Sequence, residues 1–300
     1  MKYRITHTTK YAYLEAVPVC HNLIRLRPRN LPYQSCHQFQ LLVHPEPGEI
    51  STRKDYFGNH VSYFSIEQPH HGLTISASSD VQVVEQDRMA ASKSAPWETI
   101  ADSFRANVFP KSIDVYQYVP WSKHIQPFAA LTRYAARSFR RGRPIVEAVM
   151  DLTGRIFRDF KYDPRATTIQ TPITEVFEKR HGVCQDFAHL QIGCLRSLGI
   201  PARYVSGYLR TIPPPGKPRL VGADASHAWL SAYCGEAGWI DVDPTNDALV
   251  STDHITVAWG RDYNDVSPIQ GVIVGGGKHK MQVSVDVAPV SQSETEPSDS

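Results

Sequence analysis

A thiol can break an amide bond when it stands as thiolate, when a base lies within hydrogen-bond reach, and when a third group holds that base in orientation. The five cysteines of this chain, Cys20, Cys36, Cys184, Cys194 and Cys234, are odd in number and scattered, with no C-x-x-C pair. That pattern speaks against a disulfide framework or a cysteine-rich zinc site and leaves at least one free thiol. Cys184 stands out, within RHGVCQDFAHLQIGCLRSLGIPAR, residues 180–203. It follows Gly182, which permits close backbone approach, and opens a helical pattern. At a helix start, free N–H groups and the positive end of the macrodipole favour thiolate over thiol, and the same amides can hold an oxyanion. The bland reading, a small buried hydrophobe, suits Cys194 on the apolar face of that helix. Cys184 precedes the face.

Thirteen histidines compete as the base. His181 belongs to the turn before the helix, and His189 lies five positions along it, pointing away from Cys184. His227 fits better: a strand through ASHAWLSAY sets His227, Trp229, Ser231 and Tyr233 on one face, with Trp229 beside the histidine as a wall of the site and a substrate contact. In GWIDVDPTND, Asp241 and Asp243 share one face of a strand that ends at Pro244. Either carboxylate could accept a hydrogen bond from the far ring nitrogen of His227, and Asn246 is a further orienting candidate. Alternation does not choose among them. Asp186 reads as a favourable dipole contact at the helix start, and Tyr162 and Gln170 are candidates for a second oxyanion donor. Gly275 to Lys278 lacks the spacing and the following Ser or Thr of a P-loop, so no nucleotide site is assigned.

These residues need elements to position them. Residues 38–43, 61–66, 73–77 and 81–84 are short, aromatic or β-branched and partly alternating, which predicts strands. Gly58-Asn59, between STRKDYF and HVSYF, marks a hairpin. Residues 1–90 therefore read as an all-β sandwich-like domain, and 91–126, with its prolines and mixed polar residues, as a connecting segment. Helical steps begin near Pro127, and Pro144 suits a helix start. The helix opened by Cys184 aligns Phe187, Leu190, Cys194, Leu195 and Leu198 on one face and ends at Gly199 and Pro201. Strands follow in ARYVSGYLR, SHAWLSAY and GWIDVD, with TIPPPGKPRLVGADA as a lid or substrate-edge loop. SPIQGVIV and MQVSVDV complete a 127–288 core or return to the sheet, and 289–300 is a polar, disordered tail. The fold class is α+β.

Taken in order, GVCQDFAHL, LGIPARYVSGY, ASHAWLSAY and GWIDVDPTN resemble the transglutaminase-like superfamily, a papain-like group of cysteine enzymes. HTTKYAY, RLRPRN and DYFGNHVSYF are similar to the β-rich region that precedes this core in bacterial members. The resemblance implies a papain-like transglutaminase core behind an all-β sandwich-like N-terminal domain. It implies Cys184 as nucleophile, His227 as base and acid, and Asp243, directly before Pro-Thr, as the orienting carboxylate. A thioester intermediate would form on a peptide or protein amide substrate without any cofactor. Water resolves it in a peptidase or amidase, the favoured reading, and an amine acceptor resolves it in a crosslinking transglutaminase.

Composition sets the outer limits. Lys+Arg 32 against Asp+Glu 30, with 41% hydrophobic residues, is globular and nearly charge-balanced, which argues against nucleic-acid or membrane partners. No apolar run reaches the ~18 residues that span a bilayer, and MKYRITHTTKYAY has no signal-peptide core, so a cytoplasmic location is expected. The remaining rivals are a non-catalytic papain-like scaffold and a metalloprotein ligated by Cys184, His227 and Asp243.

Overall fold

The computed structural model describes residues 1–106, 113–211 and 225–290. Residues 212–224 of the expected lid loop and 291–300 of the expected tail lie outside the described residues.

The N-terminal strands are β1 (Lys2–Val17), β2 (Val19–Ile24), β3 (Gln34–His44), β4 (Ser51–Lys54), β5 (His60–Ile66) and β6 (His70–Val83). Then come α1 (Trp97–Arg105), α2 (Ile113–Tyr116), α3 (Ala129–Ala136), α4 (Ile145–Asp159), β7 (Lys161–Tyr162), α5 (Ile173–Lys179), β8 (His181–Gly182) and α6 (Cys184–Ser197). The chain continues through β9 (Ala202–Leu209), β10 (Ala225–Tyr233), β11 (Trp239–Asp243), β12 (Ala248–Leu249), β13 (His254–Gly260), α7 (Tyr263–Val266), β14 (Ile269–Val274) and β15 (His279–Pro289).

Two antiparallel four-stranded sheets, ordered β15-β1-β6-β3 and β14-β2-β5-β4, build the sandwich. A five-stranded antiparallel sheet, β12-β11-β10-β9-β13, backs α6. Strict alternation along β1 buries Tyr3, Ile5, His7 and Thr9 and exposes Lys2, Arg4 and Thr6, the period-2 signature of a half-buried sheet. Its buried face is shared between two partners. Tyr3 and Ile5, with Val81 and Val83 of β6, join the core around α6, whereas Tyr13, Leu73 and Ile75 join the sandwich core with Phe64 and Ile66. The long strands β1 and β6 thus run beneath both halves of the molecule and hold them as one packed unit.

Three expectations on element boundaries change. The strands SPIQGVIV and MQVSVDV pair with β2 and β1 and so extend the N-terminal sheets instead of ending the 127–288 core. The strands expected at 73–77 and 81–84 are one continuous strand, β6. The connecting segment carries α1, whose Ile100, Ala101 and Phe104 are buried in the core; a helix of nine residues gives too short a window for the period to stand out. The helix opened by Cys184 is buried from Asp186 to Arg196 on every face, packed between the sheet and neighbouring helices. An all-round buried helix needs no polar stripe, so its single apolar face in the sequence understates its position.

Candidate active site

Gly182 and Asp186 set the start of α6. Val183 N–H donates to Asp186 Oδ2 at 2.9 Å, and Thr167 Oγ1 donates to the same oxygen at 2.6 Å. A Cβ at Gly182 would stand 2.9 Å from Asp186 Cβ, so glycine is what lets the aspartate fold back. Asp186 is a capping residue that satisfies a first-turn donor. The Cys184 and Gln185 amides then open the helix, where first-turn N–H groups have no intrahelical acceptor. Cys184 itself is half-buried and lines a cleft of about 300 Å³ together with His227, Tyr204 and Ser206.

Antiparallel pairing delivers the other two groups. β10 lies between β9 and β11, and His227 Nε2 donates to Asp243 Oδ2 at 2.7 Å. That leaves Nδ1 free of the carboxylate, and Cys184 lines the same cleft as the imidazole. Burial opposes charge on His227, but the hydrogen bonds and charges of Asp243 and Cys184 together outweigh it and push the imidazole up to about 10. Asp243 has no exposed side-chain surface. Burial alone would raise its carboxyl, yet donors from His227, His254 and Asn246 hold it well below the usual carboxylate range. Thr245 N–H adds a bond to Oδ1 at 2.9 Å.

The orienting candidates therefore separate. Asp241, two residues away on the same strand, accepts from Ser231 Oγ and from Tyr33 Oη at 3.1 Å, and serves as a tie to the N-terminal domain. Asn246 Nδ2 donates to Asp243 Oδ2 at 2.6 Å and stays 3.5 Å from His227, so it supports the carboxylate instead of replacing it. His189 is a core histidine, pushed down to about 3 by burial and accepting from Tyr263 N–H. His181 is exposed on β8. Tyr162 neighbours Cys184 electrostatically but is half exposed, and neither it nor Gln170 lines the cleft among its described residues.

Trp229 requires a correction. Its ring lies 6.1 Å from that of His227, as expected for a neighbour on one strand face, but it is fully buried and does not line the cleft. On the face it shares with His227, the ring packs among side chains of neighbouring strands: edge-on against His254 at 5.3 Å, beside Val205, Val250 and Trp259, and over Gly207, where a Cβ would collide with it. Trp229 thus packs beside the two histidines and stands outside the described lining of the cleft.

His254 is the residue that spacing missed. It is buried, and its Nε2 lies 3.3 Å from Asp243 Oδ2. Ser251 N–H donates to its Nδ1 at 3.2 Å, which leaves the ring proton on Nε2, facing the carboxylate. His227, Asp243 and His254 bring possible ligand atoms within 4.8 Å of one another. An imidazole that donates through Nε2 has no lone pair there for a metal, so this donor set fits a carboxylate clamp better than a cation site. We expect His254→Leu to destabilise the protein by about 2 kcal/mol, the usual cost of losing a hydrogen bond to a charged group. Asp243 is held low in the folded state, so its contribution is present above the ordinary carboxylate value and lost as pH falls through the folded one. Thermal melts from pH 2 to 7 should show the variant's deficit at full size near pH 7 and narrowing below the ordinary carboxylate value, and His254→Gln, which keeps a donor, should recover most of it.

β13 is an edge of the catalytic sheet, and the N-terminal domain covers that edge. Gln34 Nε2 donates to Thr256 O and Gln34 Oε1 accepts from Thr256 N–H, both at 2.8 Å. Asn59 treats Trp259 the same way, at 2.9 and 3.0 Å. Two buried side-chain amides stand in for a missing strand. Arg29 and Arg203 each lie 3.6 Å from the Trp259 ring centroid, so the strand bearing His254 is fixed from outside.

Comparison with known proteins matches residues 3–82 to the bacterial transglutaminase-like N-terminal region and residues 132–244 to the transglutaminase-like superfamily. The chain is 41% identical over 305 residues to an uncharacterized protein of Mycobacterium tuberculosis, covering 96% of this chain and 93% of that one. Over 102 residues, 31% of this chain and 15% of the other, it is 35% identical to a protein-glutamine gamma-glutamyltransferase of Pseudomonas aeruginosa. A solved structure of a candidate cysteine protease from Cytophaga hutchinsonii shares the fold, with a TM-score of 0.74 at 21% identity over 97% of this chain and 92% of that one. No helix among the described residues is long and apolar enough to cross a membrane.

Proposed function

Because this chain belongs to the transglutaminase-like superfamily, we propose that it is a cysteine-dependent acyl-transfer enzyme acting on peptide or protein amides through Cys184, His227 and Asp243. One observation carries the reading: a half-buried thiol at a helix start shares a cleft with an imidazole whose Nε2 lies 2.7 Å from a fully buried carboxylate. No cofactor is needed for that chemistry.

In the proposed cycle the Cys184 thiolate attacks the amide carbonyl and forms a C–S bond. The carbonyl oxygen becomes an oxyanion facing the Cys184 backbone N–H and the Tyr204 hydroxyl. His227 imidazolium gives its proton to the nitrogen, the C–N bond breaks, and an amine leaves with a thioester on the enzyme. The now neutral His227 takes a proton from water, which attacks the thioester, releases the acid and restores the Cys184 thiolate beside the His227 imidazolium. Asp243 keeps the imidazole in one tautomer throughout and stabilises its cation. Nearly balanced charge supports water as the acceptor over a dedicated lysine-rich partner. The similarity to a protein-glutamine gamma-glutamyltransferase favours, as the second reading, an amine attacking the same thioester. Five free cysteines suit a reducing, cytoplasmic setting.

Intact-mass labelling with iodoacetamide at about pH 6 tests the reading, because an ordinary thiol of pKa ~8.5 reacts slowly there. We expect one rapid adduct at Cys184 in the wild type and at least a tenfold slower one in His227→Ala. Equal, slow labelling of several cysteines in both proteins would favour a non-catalytic scaffold. Product masses from a glutamine peptide, with and without added amine, then separate hydrolysis from transfer.

A further inference from the structure

The cleft that holds Cys184 and His227 is not built by the catalytic sheet alone. Its other wall is one face of the N-terminal sheet, through His7, Thr9 and Tyr11 of β1 and Met281 and Val283 of β15. The strand register explains why these five residues stand together: Thr9 pairs with Val283 and Tyr11 with Met281, so their side chains rise from neighbouring positions on one face. This face lies between the stretch of β1 that packs on the catalytic core and the stretch that packs on the second sheet. From this geometry we infer that the N-terminal sheet forms the apolar half of the acyl-donor subsite, so that the substrate is a peptide with an uncharged aliphatic or aromatic side chain beside the reactive amide.

The chemistry of the lining supports the assignment. Among the described residues that line the cleft there is no Asp, Glu, Lys or Arg. The two polar residues of β1 are turned inward on the protein itself: His7 Nδ1 lies 3.0 Å from Tyr208 Oη, and its Nε2 lies 3.1 Å from Thr9 Oγ1. Burial also pushes His7 down to about 4, so it brings no charge at neutral pH. Against the β1 and β15 wall, away from His227, a charged side chain would lose water without gaining a partner. Met281 and Val283 nonetheless keep 57% and 50% of their surface open, and Ile169, which also lines the cleft, keeps 52%. Apolar side chains left open around a nucleophile are what a bound apolar group would cover. A volume of about 300 Å³ is at the small end for ligand sites, room for an amide and one large side chain.

The wall is also rigid. Besides the His7–Tyr208 bond, Tyr3 Oη donates to Asp253 at 3.0 Å and Tyr33 Oη to Asp241 at 3.1 Å, so hydrogen bonds tie the N-terminal domain to β9, β11 and the segment before β13. A fixed wall selects by shape and polarity without first having to be ordered.

The inference rests on the proposed nucleophile for its reactive atom, and its test separates the two. Second-order rates of Cys184 alkylation would be measured for acetyl-Leu-Leu, acetyl-Asp-Asp and acetyl-Lys-Lys chloromethyl ketones, in which the thiolate sulfur displaces chloride, each divided by the iodoacetamide rate of the same protein. The dileucyl probe should exceed both charged probes by about tenfold or more, and that advantage should fall about tenfold in Met281→Glu and again in Val283→Glu. Calorimetry of acetyl-Leu-Leu-amide and acetyl-Asp-Asp-amide with Cys184→Ala reads the cleft without any nucleophile. Apolar binding there, with slow iodoacetamide labelling of the wild type, would uphold the subsite and overturn the acyl-transfer reading. Fast labelling with equal normalised rates for all three ketones and no apolar preference in calorimetry would overturn the subsite alone.

Discussion

Asp243→Asn is expected to lower turnover on a good amide substrate by on the order of 10⁴-fold, as losing the tautomer-fixing carboxylate does in other triads. The geometry makes the loss severe. Asp243 Oδ2 receives His227, Asn246 and His254, while Oδ1 receives the Thr245 amide. An asparagine has one acceptor oxygen, so whichever way its amide turns, an NH₂ group faces a donor in a site with no exposed side-chain surface. A buried donor left without an acceptor costs about 1–3 kcal/mol, so the variant should also melt lower. The pH dependence of that deficit identifies its cause. Because the folded His227 is raised to about 10 from an ordinary 6.5, its stabilising contribution is fully present below pH 6.5 and lost as pH rises through about 10. The melting gap between wild type and variant should therefore be wide at pH 5.5 and narrow towards pH 10. A gap that widened with pH would mean that Asp243 does not hold His227 as imidazolium.

The same carboxylate shows how far the sequence could be read. Alternation along GWIDVD placed both aspartates on one face, and a period of two contains nothing more. The choice between them depends on partners brought by other strands. Tyr33 and Ser231 occupy Asp241, and two histidines from β10 and β13 converge on Asp243. Resemblance in the words around Asp243 supplied what periodicity lacked. Cys184 was legible for a local reason, since a glycine, a capping aspartate and a helix start lie within five residues of one another. His254 was not, because nothing in DHITV distinguishes a histidine opposite a carboxylate from one in an ordinary strand. The N-terminal half shows the same limit. Gly58-Asn59 reads as a turn, and it is one, with Gly58 at φ 73°. The second role of Asn59, covering the edge of β13, depends on Trp259, 200 residues away. Trp229 misled for the converse reason: facing the same way as His227 is a statement about one strand, and Val205, Val250, Trp259 and His254, which bury the ring, lie outside that strand.

Tyr204→Phe should slow acylation roughly 100-fold while leaving the fold intact. Tyr204 lies on β9, with a ring almost wholly buried between His189, at 4.9 Å, and Tyr263, at 6.3 Å. Phenylalanine keeps that ring and removes one oxygen. The oxygen matters because Tyr204 lines the cleft beside Cys184, and burial, reinforced by the nearby Cys184, raises its hydroxyl well above the ordinary tyrosine value. It therefore remains an O–H donor at every pH where the enzyme would work. Fixed donors aimed at a developing oxyanion contribute about 10²–10³ in rate apiece, and the first is the Cys184 amide at the start of α6. Because the tetrahedral oxyanion exists only on the reaction path, the loss should fall on kcat far more than on KM. Iodoacetamide gives the contrast, since its alkylation of Cys184 is a displacement at saturated carbon with no oxyanion to stabilise. Amide turnover lowered about 100-fold beside an alkylation rate changed only a few-fold would assign the hydroxyl to the oxyanion. Equal losses in both would assign Tyr204 to the setting of Cys184 and His227, and the second donor would then have to be sought among the other groups of the cleft.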